Sequence, residues 1–266
     1  MVPWAVLYGE TMERHTPVFD LSGLPQEVIA VIRPFAEELV YRLSERIETL
    51  AVTGSCLTGD YIHGISNINT ALVLRKIDVP ELDIIASAEK RFRKKLLQAP
   101  LVITEEYIRR SLDVFPIEFL DIKLLHKTIY GPDLFVKLAI DKSPLRLQCE
   151  RDLKGKLIHL RQGYVACSGK PRGVKALLLQ AFPGFFPLLR AMLHIIQMHT
   201  EPPAGKASVL EEAETAFNIP MAGLKEILLL KTQKRFCLDH KRIYYLFTEV
   251  CRITHELSVA MDTFPA

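Results

Sequence analysis

Two apolar runs and the punctuated stretch between them decide the fold: Leu50-Ala51-Val52-Thr53-Gly54-Ser55, then Gly59 and Gly64, then Ser66-Asn67-Ile68-Asn69 leading into Ala71-Leu72-Val73-Leu74. The first run is short and ends in Gly-Ser, the pattern of a buried strand entering a tight turn. The second repeats the strand signal. Between them the glycines leave room for a turn and a short helix, which would carry Asp60, so the local order is strand, turn, short helix, strand.

Upstream, Val28, Ile32, Phe35, Leu39 and Leu43 recur every three or four residues, which predicts a helix from Pro25 to about Thr49. Downstream, a helix is expected over Pro80 to Gln98, with Lys90, Arg91, Arg93, Lys94 and Lys95 loading its last turn, where cations complement the helix dipole. Leu101-Val102-Ile103 predicts a third strand, and Glu105 to Leu112 a helix capped by Thr104. Ile117 to Ile122 predicts a fourth strand, with Glu118 and Asp121 on opposite faces by its period of two. A short extended piece, Lys127 to Tyr130, closes this half at Gly131-Pro132.

From about Ser143 onward every long segment has helical spacing: Leu145–Ala166, Val174–Ala181, Phe185–Met198, Val209–Phe217, Leu224–Lys234 and His240–Met261. Gly169, Pro171, Pro183, Pro187, Pro202-Pro203 and Pro220 punctuate them. The expected organisation is an irregular arm over 1–24, an α/β domain over 25–140 and an all-helical bundle over 141–266.

The 266 residues are 49% hydrophobic and 24% charged, which excludes disorder as the main state. Basic residues number 34 against 31 acidic ones; a formal charge of +3 is far from that of a dedicated nucleic-acid binder and argues against nucleic acid as the partner. Cys56, Cys149, Cys167, Cys237 and Cys251 are odd in number and show no metal-type spacing, so free thiols in a reducing cytoplasm are expected. The apolar runs, such as Ala176–Ala181, fall short of the ~20 residues that span a bilayer, and no membrane partner is expected.

Gly54-Ser55, the glycines after it and the Ser66-Asn67-Ile68-Asn69 entry to an apolar strand resemble the signature of the nucleotidyltransferase superfamily over about residues 26–135. The helical remainder is compatible with the bundle that follows this core in kanamycin nucleotidyltransferase-like enzymes. The resemblance implies that Gly54, Ser55 and Ser66 bind nucleotide phosphates, and that Asn67 and Asn69 stand where the family has its metal-binding aspartates. A third carboxylate would come from Asp121 or Glu118; the slight preference for Asp121 rests on Glu118 being in register with Leu120 and Ile122.

Asparagine keeps the shape of aspartate but offers a neutral oxygen, so two negative charges are missing from a site for Mg²⁺. The resemblance therefore implies a catalytically impaired nucleotide-binding or protein-interaction module, a pseudoenzyme. The alternative is an active metal-dependent transferase moving a nucleoside monophosphate from a triphosphate to a hydroxyl of a small molecule or protein. A nucleoside triphosphate, a protein partner or a second copy of the chain are the partners this reading allows.

Other candidates read as structural. His63 suits an exposed loop, and His194 and His199, five apart, do not share a helix face as a metal pair would. Ser168 to Gly173 lacks the features of a phosphate loop and suits an interhelical turn. Lys225, Lys231, Lys234, Arg235, Lys241 and Arg242 read as a solvated helix face, and Phe182, Phe185 and Phe186 as core.

Overall fold

The computed structural model describes residues 17–197, 205–232 and 239–264. Helix α1 (Gln26–Leu43) buries Val28, Ile32, Phe35 and Leu39 on one face, and a 3₁₀ turn at Ser44–Arg46 ends it earlier than the periodicity predicts. Strand β1 (Ile47–Thr53) runs into a 3₁₀ turn at Gly54–Leu57, and β2 (Asn69–Leu74) follows. Asp60 lies in a turn after that 3₁₀ segment, not in a helix.

Helix α2 (Val79–Phe92) starts at a capping box in which the Asp78 amide donates to Glu81 Oε2 at 3.2 Å. Strand β3 (Leu101–Ile103) and helix α3 (Glu105–Ser111) come next; Thr104 Oγ1 caps the helix by accepting from the Tyr107 amide at 3.1 Å.

The segment expected as a fourth strand is instead helix α4 (Pro116–Leu124), with Pro116 in its first turn, where a missing N–H costs nothing. Glu118 and Asp121 are therefore three residues apart on a helix and not on opposite faces of a strand. The fourth strand is β4 (His126–Tyr130), the piece read as a short extension. The sheet order is β3-β2-β1-β4, with β1 antiparallel to both neighbours and β2 parallel to β3.

Both faces of this sheet are covered, which is why β1 and β2 read as continuous apolar runs. Leu50, Val52, Leu72 and Leu74 pack with α1 and α2; Ala51, Ala71 and Val73 pack on the other face with Ile108 of α3 and Phe119 of α4.

Helices α5 (Lys142–Ala166), α6 (Pro171–Ala181), α7 (Phe185–Gln197), α8 (Lys206–Phe217), α9 (Ala222–Thr232) and α10 (His240–Thr263) build the remainder around one core. Phe182, Phe185, Phe186, Leu189 and Met192 lie in it, together with Ile117 and Leu120 of α4. Ser168 and Gly169, both with positive φ, form the α5–α6 turn.

The helical stretch Pro171–Ile196 is longer than its separate apolar runs indicate: an 18-residue window in it has a mean hydropathy of 1.5, which is long and apolar enough to cross a membrane, and half of that window is buried inside the protein. The arm over residues 1–16, Cys237, His199, Lys234 and Arg235 lie outside the described residues. The four described cysteines are free.

Candidate functional site

Register brings the sequence-selected residues together. Thr53, the last residue of β1, pairs with Asn69 on one side and His126 on the other, so the Gly54-Ser55 turn begins where three strands end. Gly54 has φ +78°, a conformation that favours glycine, and donates its amide to the Leu125 carbonyl at 2.9 Å. Asn69 Nδ2 lies 3.5 Å from the point a Cβ on Gly54 would occupy. Asn67 and Asn69 flank the buried Ile68, and both are exposed and line the same cleft.

These residues line a cleft of about 450 Å³ between the sheet end and the helical half. Its walls include Gly54, Ser55, Gly59, Asp60, Ser66, Asn67, Asn69 and Asp121, faced by Phe182, Phe186, Arg190, Lys206 and Lys231. Ser66 Oγ accepts from the Ile62 amide at 3.0 Å, so this hydroxyl closes the loop as well as bordering the cleft.

Asp121 points into the cleft from α4, and the Arg190 guanidinium of α7 holds it through Nε at 2.7 Å and Nη2 at 2.5 Å. Burial pushes the Asp121 carboxyl up, against the opposing pull of Arg190. Glu118 faces elsewhere: it accepts from Gln148 Nε2 at 2.9 Å and lines a second cavity of about 940 Å³ between α4, α5 and α6. Asp121 and Pro187 border both spaces.

Three cationic residues of the site carried little or no signal in the sequence. Arg190 is the one Lys or Arg of the apolar helix α7, which in hindsight marks it as paired. Lys231 was expected on a solvated face; instead it lines the cleft, with its Nζ 5.5 Å from the Phe182 ring centroid. Lys206 Nζ lies 5.7 Å from the Phe186 ring, while its backbone amide donates to Asp60 Oδ2 at 2.8 Å. The rest of the expected basic face is largely neutralised: Lys225 pairs with Glu214 and Arg242 with Glu226.

Among solved structures the chain is similar to the spectinomycin adenyltransferase AAD(9) of Enterococcus faecialis, whose structure contains ATP and spectinomycin; the TM-score is 0.55 at 12% identity, covering 86% of this chain and 98% of that one. The chain has the nucleotidyltransferase fold. No protein-family model and no curated protein matches the sequence.

That fold implies a divalent cation at the positions of Asn67, Asn69 and a third carboxylate, and the donor set here does not fit one. Two of the three positions offer neutral amide oxygens, and the lone pairs of Asp121 Oδ1 are engaged by a guanidinium. No group of three or more His, Cys, Asp or Glu side chains suited to a metal occurs among the described residues.

Proposed function

We propose that the chain is a nucleotide-binding module on the nucleotidyltransferase fold, impaired in metal-dependent nucleotidyl transfer. One observation carries the reading: the cleft keeps the Gly54-Ser55 turn, while Asp121, the one acid in it at a position implied for metal, is paired with Arg190. A nucleotidyl transfer assisted by Mg²⁺ needs carboxylates free to hold the ion and to activate the acceptor hydroxyl. Asn67 and Asn69 bring no carboxylate, and Oδ1 of Asp121 is already engaged by Arg190.

The neighbouring adenyltransferase, with ATP and a small molecule in its structure, supports a nucleotide in the cleft. The second cavity offers adjacent room for a small molecule or a peptide of a protein partner. The division into 25–140 and 141–266 and a cytoplasmic location, which the free thiols favour, belong to the same reading.

Calorimetric titration with ATP and GTP, with and without Mg²⁺, tests it. Binding of comparable strength in both conditions, without pyrophosphate release, is the expected result. Pyrophosphate release that requires Mg²⁺ and is lost in Ser55→Ala and Asp121→Asn would overturn the impairment and establish the active transferase. Restoring Asn67→Asp and Asn69→Asp together is expected to introduce Mg²⁺ dependence into binding.

A further inference from the structure

We propose that Lys206 and Lys231 do the work of the missing divalent cation, holding the polyphosphate of a nucleoside triphosphate so that the cleft binds it without metal. The inference rests on the nucleotide-binding reading and names the part of the ligand that is recognised.

The lysines come from different elements, the first turn of α8 and the last turn of α9, yet both reach the same wall of the cleft. Each ammonium is stationed over a ring, Lys206 on Phe186 and Lys231 on Phe182, and the two rings pack edge to face at 5.1 Å. Ring faces replace part of the water these ammonium groups lose and fix where they stand.

Neither Nζ has an ion-pair partner among the described residues, although two carboxylates line the cleft. Asp121 is taken by Arg190, and Asp60 accepts from the Thr58 hydroxyl and the Lys206 backbone amide. Two like charges thus share a confined space in which Asp60, bonded only by neutral donors, is the one carboxylate not already paired with a guanidinium. Burial pushes the Lys231 ammonium below its ordinary value, and repulsion from Lys206 adds a smaller push in the same direction. An anion relieves it.

Two ammonium groups bring the charge of one divalent ion and a set of N–H donors suited to phosphate oxygens. The Gly54-Ser55 turn closes the opposite wall. A triphosphate offers more charge and more phosphate oxygens to two separate ammonium groups than a monophosphate does.

The test is calorimetric titration in buffer containing EDTA with ATP, AMP and inorganic tripolyphosphate, on the full chain and on Lys206→Met, Lys231→Met and the Arg counterparts. ATP and tripolyphosphate are expected to bind, AMP at least about tenfold more weakly. Each Met substitution is expected to weaken ATP about tenfold or more, the scale of one charge-assisted hydrogen bond. The Arg substitutions should keep most of the affinity.

Circular dichroism checks each fold, and Lys206→Gln and Lys231→Gln replace any Met variant that does not fold. ATP binding that is unmoved by these substitutions overturns the lysine inference and leaves the nucleotide reading standing. Tripolyphosphate binding that needs the lysines, with no binding of ATP or GTP, upholds the lysine pair and overturns the nucleotide reading. ATP binding that appears only with Mg²⁺ overturns the lysine inference and leaves a nucleotide in the cleft; no binding by any of these anions overturns both.

Discussion

Asp121 shows how one contact redirects a site. Its carboxylate is partly buried and held by a guanidinium that is itself only 10% exposed, so removing the partner leaves a charge in a poorly solvated place. Arg190→Met is expected to cost about 2 kcal/mol at neutral pH, below the range for fully buried pairs because Asp121 keeps some water. The pH dependence has a definite sign. Burial raises the folded-state carboxyl above its ordinary value of 3.8, and more so without Arg190, so the folded chain binds the proton more readily than the unfolded one. Stability from this group is present at low pH and falls as pH rises through the raised value. Urea unfolding of both proteins between about pH 4 and pH 8 should show a deficit that grows with pH, and a constant deficit would assign the loss to packing instead. Gly54-Ser55 and the alternatives Asp121 and Glu118 came from a family resemblance, and the slight preference for Asp121 rested on a strand register that helix α4 does not have; Arg190, Lys206 and Lys231 were beyond the sequence because they reach the cleft only when three separate helices fold against one another.

Helix α4 was the element least legible in advance. Ile117 and Leu120 pack into the helical core while Phe119 and Ile122 pack against the sheet; two i,i+3 pairs on two buried faces make a short apolar run that periodicity alone does not distinguish from a covered strand. Pro116 at its start was the signal that could have decided otherwise. By contrast β1, β2, β3 and α3 were legible because covered sheet faces and a Thr cap leave local marks. The junction after α4 is held by His126, whose Nδ1 donates to the Ile122 carbonyl at 2.8 Å and whose Nε2 faces Asp133 at 2.9 Å. Burial pushes the Asp133 carboxyl up, but the bonds from His126 and from the Val136 and Phe135 amides outweigh it and hold the group below its ordinary value. That stability is present above 3.8 and lost as pH falls through the lowered value. Asp133→Asn is thus expected to destabilise by about 1 kcal/mol at neutral pH, a figure already reduced for its exposure, with the gap to the parent closing in acid. In α5, Gly155 sits mid-helix beside the larger cavity, with nothing within 4 Å of where its Cβ would stand. Gly155→Ala should therefore raise stability by about 0.5–1 kcal/mol in thermal unfolding while leaving nucleotide affinity unchanged.

At the scale of the whole molecule, composition shifts from mixed α/β to all-helical near residue 140, and the two halves are bonded to one another across that division. Helix α4 belongs by sequence to the first half and contributes Ile117 and Leu120, both nearly fully buried, to the core of the second. Gln148 of α5 accepts from the Ile117 amide at 2.9 Å, Arg190 of α7 binds Asp121, and the amide that opens α8 binds Asp60. Each of these bonds crosses the sequence division and satisfies a polar group that separation would leave exposed to competition from water or unpaired. The two halves are accordingly expected to unfold as one cooperative unit. In calorimetry the measured enthalpy should equal the van't Hoff enthalpy in a single transition. Ile117→Ala distinguishes this from two domains that melt at the same temperature by coincidence. If the halves share a core, the cavity lowers the one transition by about 3 kcal/mol and leaves it single. If they are independent, the substitution splits the transition, because only the half that loses the isoleucine methyl groups moves.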